Sequence, residues 1–155
     1  MPRYFYVSLL IAGIAGVVIG SVFFFYKTGS PMIVGEFGGV SLRIEYATTK
    51  AAREKGLGGR ESVLGDYGML FVFPKDDLYG FWMKDTLVSL DIFWLDAEGK
   101  VVSIARDVAT TTYPRVFYPT MPARYVLETA AGFAREHSVA TGTPLLLKNF
   151  PTVSE

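Results

Sequence analysis

Cysteine is absent from the 155 residues, and histidine occurs once. The first absence excludes a disulfide framework, thiolate nucleophiles and cysteine-ligated zinc or iron–sulfur centres. The second leaves His137 as the lone imidazole, flanked by Glu136 and Ser138 at the end of a predicted helix, where it is expected to face solvent. No G-x-S-x-G or other nucleophile signature accompanies it, so a hydrolase triad has no support. An excess of either charge is also missing, because 15 Lys+Arg balance 15 Asp+Glu and the isoelectric point is near 6.6. A nucleic-acid binder needs a concentrated positive surface to neutralise phosphates, and this balance argues against one. Asp76-Asp77 lacks the alternating oxygen ligands of a calcium loop, and no other metal or cofactor motif is present.

What the chain does have is apolar residues, and they are concentrated. Half of the residues are hydrophobic, with a mean hydropathy of +0.31. Tyr4 to Tyr26 contains no charge. A helix of that length, at about 1.5 Å per residue, crosses the roughly 30 Å hydrocarbon core of a bilayer. Tyr4, Phe5 and Tyr6 at one end, and Phe23, Phe24, Phe25 and Tyr26 at the other, sit where aromatic rings settle at headgroup level. The expectation is a single uncleaved anchor over residues 1–27. A cleaved signal peptide is the alternative, disfavoured because its apolar region is shorter and ends in a small-residue site. The N-terminal amine and Arg3 outweigh Lys27, which places the N-terminus in the cytoplasm and the domain outside it. Ser8, Ala12, Gly16 and Gly20 recur every four residues and form a small-residue face, including a GxxxG, through which two copies could pair as a homodimer.

Residues 28–31 read as a short linker, and residues 32–155 as one extracytoplasmic domain of ordinary size. Setting aside Arg3 and Lys27 leaves 13 basic against 15 acidic residues, a net charge of −2. Met32 to Phe37 and Val40 to Ala47 read as strands around a Gly38-Gly39 turn, the second alternating apolar and polar residues. Thr48 or Thr49 caps a short helix that Gly56 ends. Strands are expected at Gly68 to Phe73, stopped by Pro74, and at Phe81 to Met83, Leu90 to Leu95, Lys100 to Asp107 and Pro144 to Lys148. Ala109 to Pro122 reads as a loop, and Tyr125 to Ala134 as a helix in whole or part. The fold class is therefore mainly β (α+β): a compact antiparallel sandwich or barrel-like domain with one or two short helices.

Several segments together resemble a known family. They are Arg53 with Gly56-Leu57-Gly58-Gly59-Arg60; Gly68-Met69-Leu70-Phe71-Val72-Phe73; Phe81-Trp82-Met83-Lys84-Asp85-Thr86 with Leu90-Asp91-Ile92; and Pro122-Ala123-Arg124-Tyr125-Val126-Leu127-Glu128 with Gly132. Their order and spacing are similar to the domain of unknown function 192, also called uncharacterised protein family 0127. The resemblance implies a compact β-rich, sandwich-like fold, found commonly in bacterial and archaeal proteins with a signal or membrane anchor, and no established activity. The chain departs from the family pattern at Gly58 (usually Met), Asp85 (usually Asn), Ser89 (usually Pro) and Gly142-Thr143 (often Gly-Asp).

Arg60, Trp82, Lys84, Asp91 and Glu128 are the candidate ligand-binding residues. In an extended segment Trp82, Lys84 and Thr86 share one face, giving an aromatic platform beside a cation. Rings stack on sugar faces while charges satisfy hydroxyls, so the expected ligand is polar, such as a carbohydrate or cell-envelope component. The opposing expectation is structural: Trp82 in the core, with Lys84 and Asp91 ion-paired. Arg60, after Gly56, Gly58 and Gly59, offers a guanidinium beside exposed amides, or simply a turn. Glu128 in an apolar context calls for a partner, for which Arg60 and Lys84 are the natural choices. A non-enzymatic binding domain is favoured. The alternatives are a small hydrolase or lyase using Asp91 and Glu128 as its carboxylate pair, and a protein-interaction module at the membrane.

Overall fold

The computed structural model describes residues 32–154. The apolar segment Tyr4 to Tyr26, with Ser8, Ala12, Gly16 and Gly20, lies outside the described residues. Among the described residues, no helix is long and apolar enough to cross a membrane.

Nine strands and two short helices follow in the order β1 (Met32–Phe37), β2 (Val40–Ala47), α1 (Lys50–Lys55), β3 (Tyr67–Asp77), β4 (Phe81–Trp82), β5 (Leu90–Leu95), β6 (Val101–Val108), β7 (Val116–Phe117), β8 (Ala123–Ala130), α2 (Phe133–Glu136) and β9 (Leu145–Leu146). Seven of the strands form one curled, half-barrel sheet in the order β6-β5-β8-β3-β2-β1-β9, and β4 pairs with β7. The fold is thus mainly β, built on one large sheet with a two-stranded sheet beside it. Gly38 and Gly39, at φ of 61° and 78°, turn β1 into β2 where a side chain would be strained.

Three of the expected elements change. Val116–Phe117, within the expected Ala109 to Pro122 loop, forms strand β7. Tyr125 to Ala134 is not a helix: Ala123–Ala130 is strand β8, inserted between β3 and β5, and only Phe133–Glu136 is helical. Pro74 does not stop β3, which reaches Asp77 because the register against β8 shifts between Val72 and Asp77 and releases the proline from the ladder. β2 and β3 run parallel, and a parallel pair needs a crossover. The connection carries α1, whose Thr49 hydroxyl accepts from Ala52 N at 3.1 Å and whose last turn ends at Gly56, φ 50°.

Strand alternation divides the core between the two faces of the sheet. Leu70, Val72, Phe93, Leu95, Tyr125 and Leu127 pack on one face with Phe37 and Phe133. Met69, Phe71, Ile92, Trp94 and Val126 pack on the other with Leu57, Phe81 and Met83. Phe81 stands edge-on to Phe71 at 4.8 Å and to Trp94 at 6.1 Å between ring centroids. Such pairs add about 0.5–1.5 kcal/mol to the area they bury. On this second face, α1, β4 and the turn after β4 leave a cleft.

Candidate functional site

Glu128 is the centre of the cleft. It lies two residues beyond Val126 on β8, so it shares the second face, opposite Met69 of β3 and Ile92 of β5. Only 4% of the residue is exposed. Among the described residues, no side-chain hydrogen bond or ion pair reaches its carboxyl. No fully enclosed side-chain oxygen among the described residues lacks a partner, so the carboxyl opens into the cleft. Burial favours the neutral acid and pushes this carboxyl up to about 8, against 4.5 for an ordinary one. At neutral pH it is therefore mostly a carboxylic acid, able to donate a hydrogen bond as well as accept one.

The cleft above it has a volume of about 270 Å³. Phe71 and Glu128 from the sheet form its floor, α1 and Leu57 one wall, and Phe81, Trp82, Lys84 and Thr86 another, with Phe73, Tyr79 and Gly80 alongside. Phe73 and Tyr79 stack at 3.6 Å between centroids. Burial raises the Tyr79 hydroxyl, which donates to the Lys75 carbonyl at 2.8 Å. Arg53 packs over the Phe73 ring, 5.2 Å from its centroid, and donates to the carbonyls of Thr48 and Val72. Its guanidinium thus ties α1 to the edge of the sheet. Lys50 faces Glu54 at 3.8 Å, a solvent-exposed pair of small energetic weight. Lys55 and Lys84 have no ion-pair partner among the described residues.

Gly56 keeps this space open. A Cβ there would sit 3.3 Å from Phe71 Cζ and 3.9 Å from Glu128 Oε2, on a backbone at positive φ. Gly58 presses close to α1: a Cβ would come within 2.9 Å of the Lys55 carbonyl. Asp85, at φ 54°, occupies the left-handed region that Asn and Asp tolerate, and its carbonyl accepts from Gly59 N at 2.8 Å. Thus the Gly58-Gly59 turn is tied by backbone to the turn that presents Lys84.

Trp82, Lys84 and Glu128 therefore line one cleft. Trp82 is 53% exposed and forms its rim; the buried tryptophan is Trp94, whose Nε1 donates to the Tyr79 carbonyl. Arg60 is elsewhere. It donates to Glu45 at 2.7 Å and to the Tyr67 hydroxyl at 2.9 Å, and its guanidinium lies over the Tyr67 ring. Burial, then the hydrogen bond to Glu45, raise the Tyr67 hydroxyl and keep it protonated.

Asp91 is also elsewhere. It neighbours Phe93 on the first face, is fully buried, and accepts from Asp107 N and Ala134 N, both at 2.7 Å. It holds α2 and the end of β6 against β5. Glu128 pairs with Ile92 and Asp91 with Thr129, so the two carboxyls project from opposite faces of the sheet. The carboxylate pair of a hydrolase does not form, nor does an ion pair of Asp91 with Lys84. Neither Arg60 nor Lys84 reaches Glu128.

Sequence reasoning missed the α1 contribution of Lys50, Arg53 and Lys55, and the aromatic wall of Phe71, Phe73 and Tyr79. A signal for α1 existed. Three cations on one short helix, in the crossover of a parallel pair, are carried onto a sheet face.

No curated protein matches the chain. The fold is similar to that of a protein from Sinorhizobium meliloti 1021 described as a candidate transcription regulator, at 27% identity and a TM-score of 0.68, covering 74% of this chain and 90% of that one. It is also similar to a protein of unknown function from Novosphingobium aromaticivorans DSM 12444, at 27% identity and a TM-score of 0.70, covering 78% and 89%. The DUF192 family, described as an uncharacterized ACR, matches residues 33–147. With both the motifs and most of the sheet inside that match, the chain belongs to the DUF192 family.

Proposed function

We propose that this chain is a non-enzymatic binding domain, held at the outer face of a membrane by Tyr4 to Tyr26, that takes a polar ligand such as a carbohydrate in the cleft over Glu128. One observation carries the reading: a carboxyl that is almost wholly buried, without a partner among the described residues, and open to a concave space. A buried polar group without a partner is destabilising, and a ligand that bonds to it removes that cost. Aromatic side chains and a small number of polar groups are the usual composition of a small-molecule site. The anchor is supported by the length, aromatic ends and charge flanks of the apolar segment. The description of the Sinorhizobium protein stays with that protein; a domain at −2 has no basic surface excess to suggest the same role here.

Thermal-shift measurements on the full chain in mild detergent, against a panel of mono- and disaccharides, test the binding. A shift with at least one sugar, lost in Trp82→Ala and in Glu128→Ala, is expected. No shift across the panel, or shifts that survive both substitutions, refutes the reading. Resistance to alkaline extraction from membranes, with the domain cleaved by protease added outside, tests the anchor and its orientation.

A further inference from the structure

Taking the cleft over Glu128 as the binding site, we infer that its ligand is an acidic monosaccharide, a single-ring sugar bearing a carboxylate. The argument begins with size. About 270 Å³ lies just below the range of pockets that hold drug-sized molecules, which leaves room for one ring. Shape and polarity come next. Exposed Trp82 on the rim presents an apolar face, against which the C–H face of a sugar ring packs, and Phe71 lines the floor.

Charge decides between a neutral and an acidic sugar. The charged groups on the cleft are Lys50, Arg53, Lys55 and Lys84, opposed by Glu54 alone, because Glu128 is neutral when its carboxyl is protonated. Arg53 is committed to two backbone carbonyls and Lys50 to Glu54. Lys55, from the last turn of α1, and Lys84, from the turn after β4, remain on different walls of the cleft with no anionic partner among the described residues. A bound carboxylate supplies that partner, and ammonium–carboxylate hydrogen bonds are about twice as strong as neutral ones. Glu128 adds a donor O–H at the floor. Every uncommitted group facing the cleft can therefore donate, and the ligand must bring the acceptors. Carboxylate and ring oxygens do so, whereas a cationic or amino sugar would meet Lys55 and Lys84 with like charge.

Isothermal titration of the full chain in mild detergent at pH 6.5 with glucuronate, galacturonate, glucose and galactose tests the inference. At least one uronate is expected to bind about tenfold or more tightly than its neutral counterpart. In Lys55→Gln/Lys84→Gln that preference is expected to fall to about twofold or less. Both lysines are solvent-facing, and a circular dichroism melt checks that the variant folds. Equal binding of glucose and glucuronate overturns the acidic-sugar assignment and leaves the binding reading standing. A preference that persists in the double variant likewise overturns the role of the lysines. Binding of none of the four sugars overturns this inference, while a thermal shift with other sugars in the wider panel would preserve the broader reading.

Discussion

Replacing Glu128 with Gln separates the stability cost of its carboxyl from everything else in the domain. In the folded chain the group titrates near 8, and in the unfolded chain near 4.5. Below 4.5 both states hold the proton, and the group makes no difference to stability. Between 4.5 and 8 the folded state holds more protons than the unfolded state, so stability falls as pH rises through this window. Above 8 both states are ionised, and the loss is complete. The separation of the two values corresponds to a loss on the order of 5 kcal/mol across the window. The lowered Asp66 carboxyl titrates below the window, and the raised tyrosines above it. Thermal unfolding followed by circular dichroism from pH 5 to pH 8.5 reads the effect. For a domain of this size the unaltered chain should lose roughly 10 °C or more of melting temperature, since each kcal/mol is worth about 3–5 °C. Glu128→Gln keeps the shape and removes the proton, so its melting temperature should change by less than about a third as much over the same range. Parallel curves for the two proteins would refute the reasoning, because they would mean that the carboxyl is ionised and solvated throughout.

Asp91→Asn leaves one of the two backbone N–H groups, of Asp107 or Ala134, facing an amide donor, and should cost about 2–3 kcal/mol in urea unfolding without altering ligand binding; a cost below about 0.5 kcal/mol would show that the two bonds do not hold α2. Arg60→Ala removes one partner each of Glu45 and Tyr67, which keep their mutual hydrogen bond, and should cost about 1 kcal/mol, again by urea unfolding, with sugar affinity unchanged because Arg60 is not on the cleft. Phe81→Ala empties the space between Phe71, Phe73 and Trp94 and should cost about 3–5 kcal/mol; a loss under 1 kcal/mol would place Phe81 outside the core.

The elements written by local chemistry were legible. The Gly38-Gly39 turn and the alternation of Val40 to Ala47 define the first hairpin, and Thr49 and Gly56 bound α1. Strand β8 was not legible, for a physical reason. Tyr125, Val126, Leu127, Glu128 and Thr129 are covered on both faces of the sheet, so the stretch shows no alternation of apolar and polar residues. Without that period, good helix formers such as Leu127, Glu128 and the two following alanines read as helix. The continuation of β3 past Pro74 depends on an irregular register with β8, which no local pattern signals.

The same distinction governs the site. Trp82 and Lys84 are neighbours in sequence, and their common wall follows from strand alternation. That Glu128 joins them while Asp91 does not depends on the register of β5 against β8. A slip of one residue there would exchange the two faces and put Asp91 in the cleft. With β8 expected as a helix that register has no sequence signal, so Asp91 and Glu128 stay open as an alternative carboxylate pair until the sheet sets them on opposite faces. Arg60 is drawn off the cleft by Glu45 at 2.7 Å, on β2, a pairing that no local pattern signals.

Glu128 also conflicts with what stability alone favours. It occupies a central strand, between β3 and β5, where neighbours such as Met69, Ile92 and Val126 are apolar. An apolar side chain of similar volume would bury without the desolvation cost, and replacing buried charged groups in this way is often stabilising. The cost at alkaline pH, on the order of 5 kcal/mol, is comparable to the 5–15 kcal/mol that holds a typical domain together. A lysine reaching the carboxyl would relieve it, and Lys55 and Lys84 both line the same cleft. Neither is paired with it. Had either been, the carboxyl would be an anion with a satisfied partner, and the cleft would offer a ligand one donor and one charge fewer. The arrangement instead keeps the acid neutral, the ammonium groups unpaired and the space between them open. Local departures from stable packing are expected where a site must present unsatisfied groups to a ligand, and the buried acid on the floor of this cleft is such a departure.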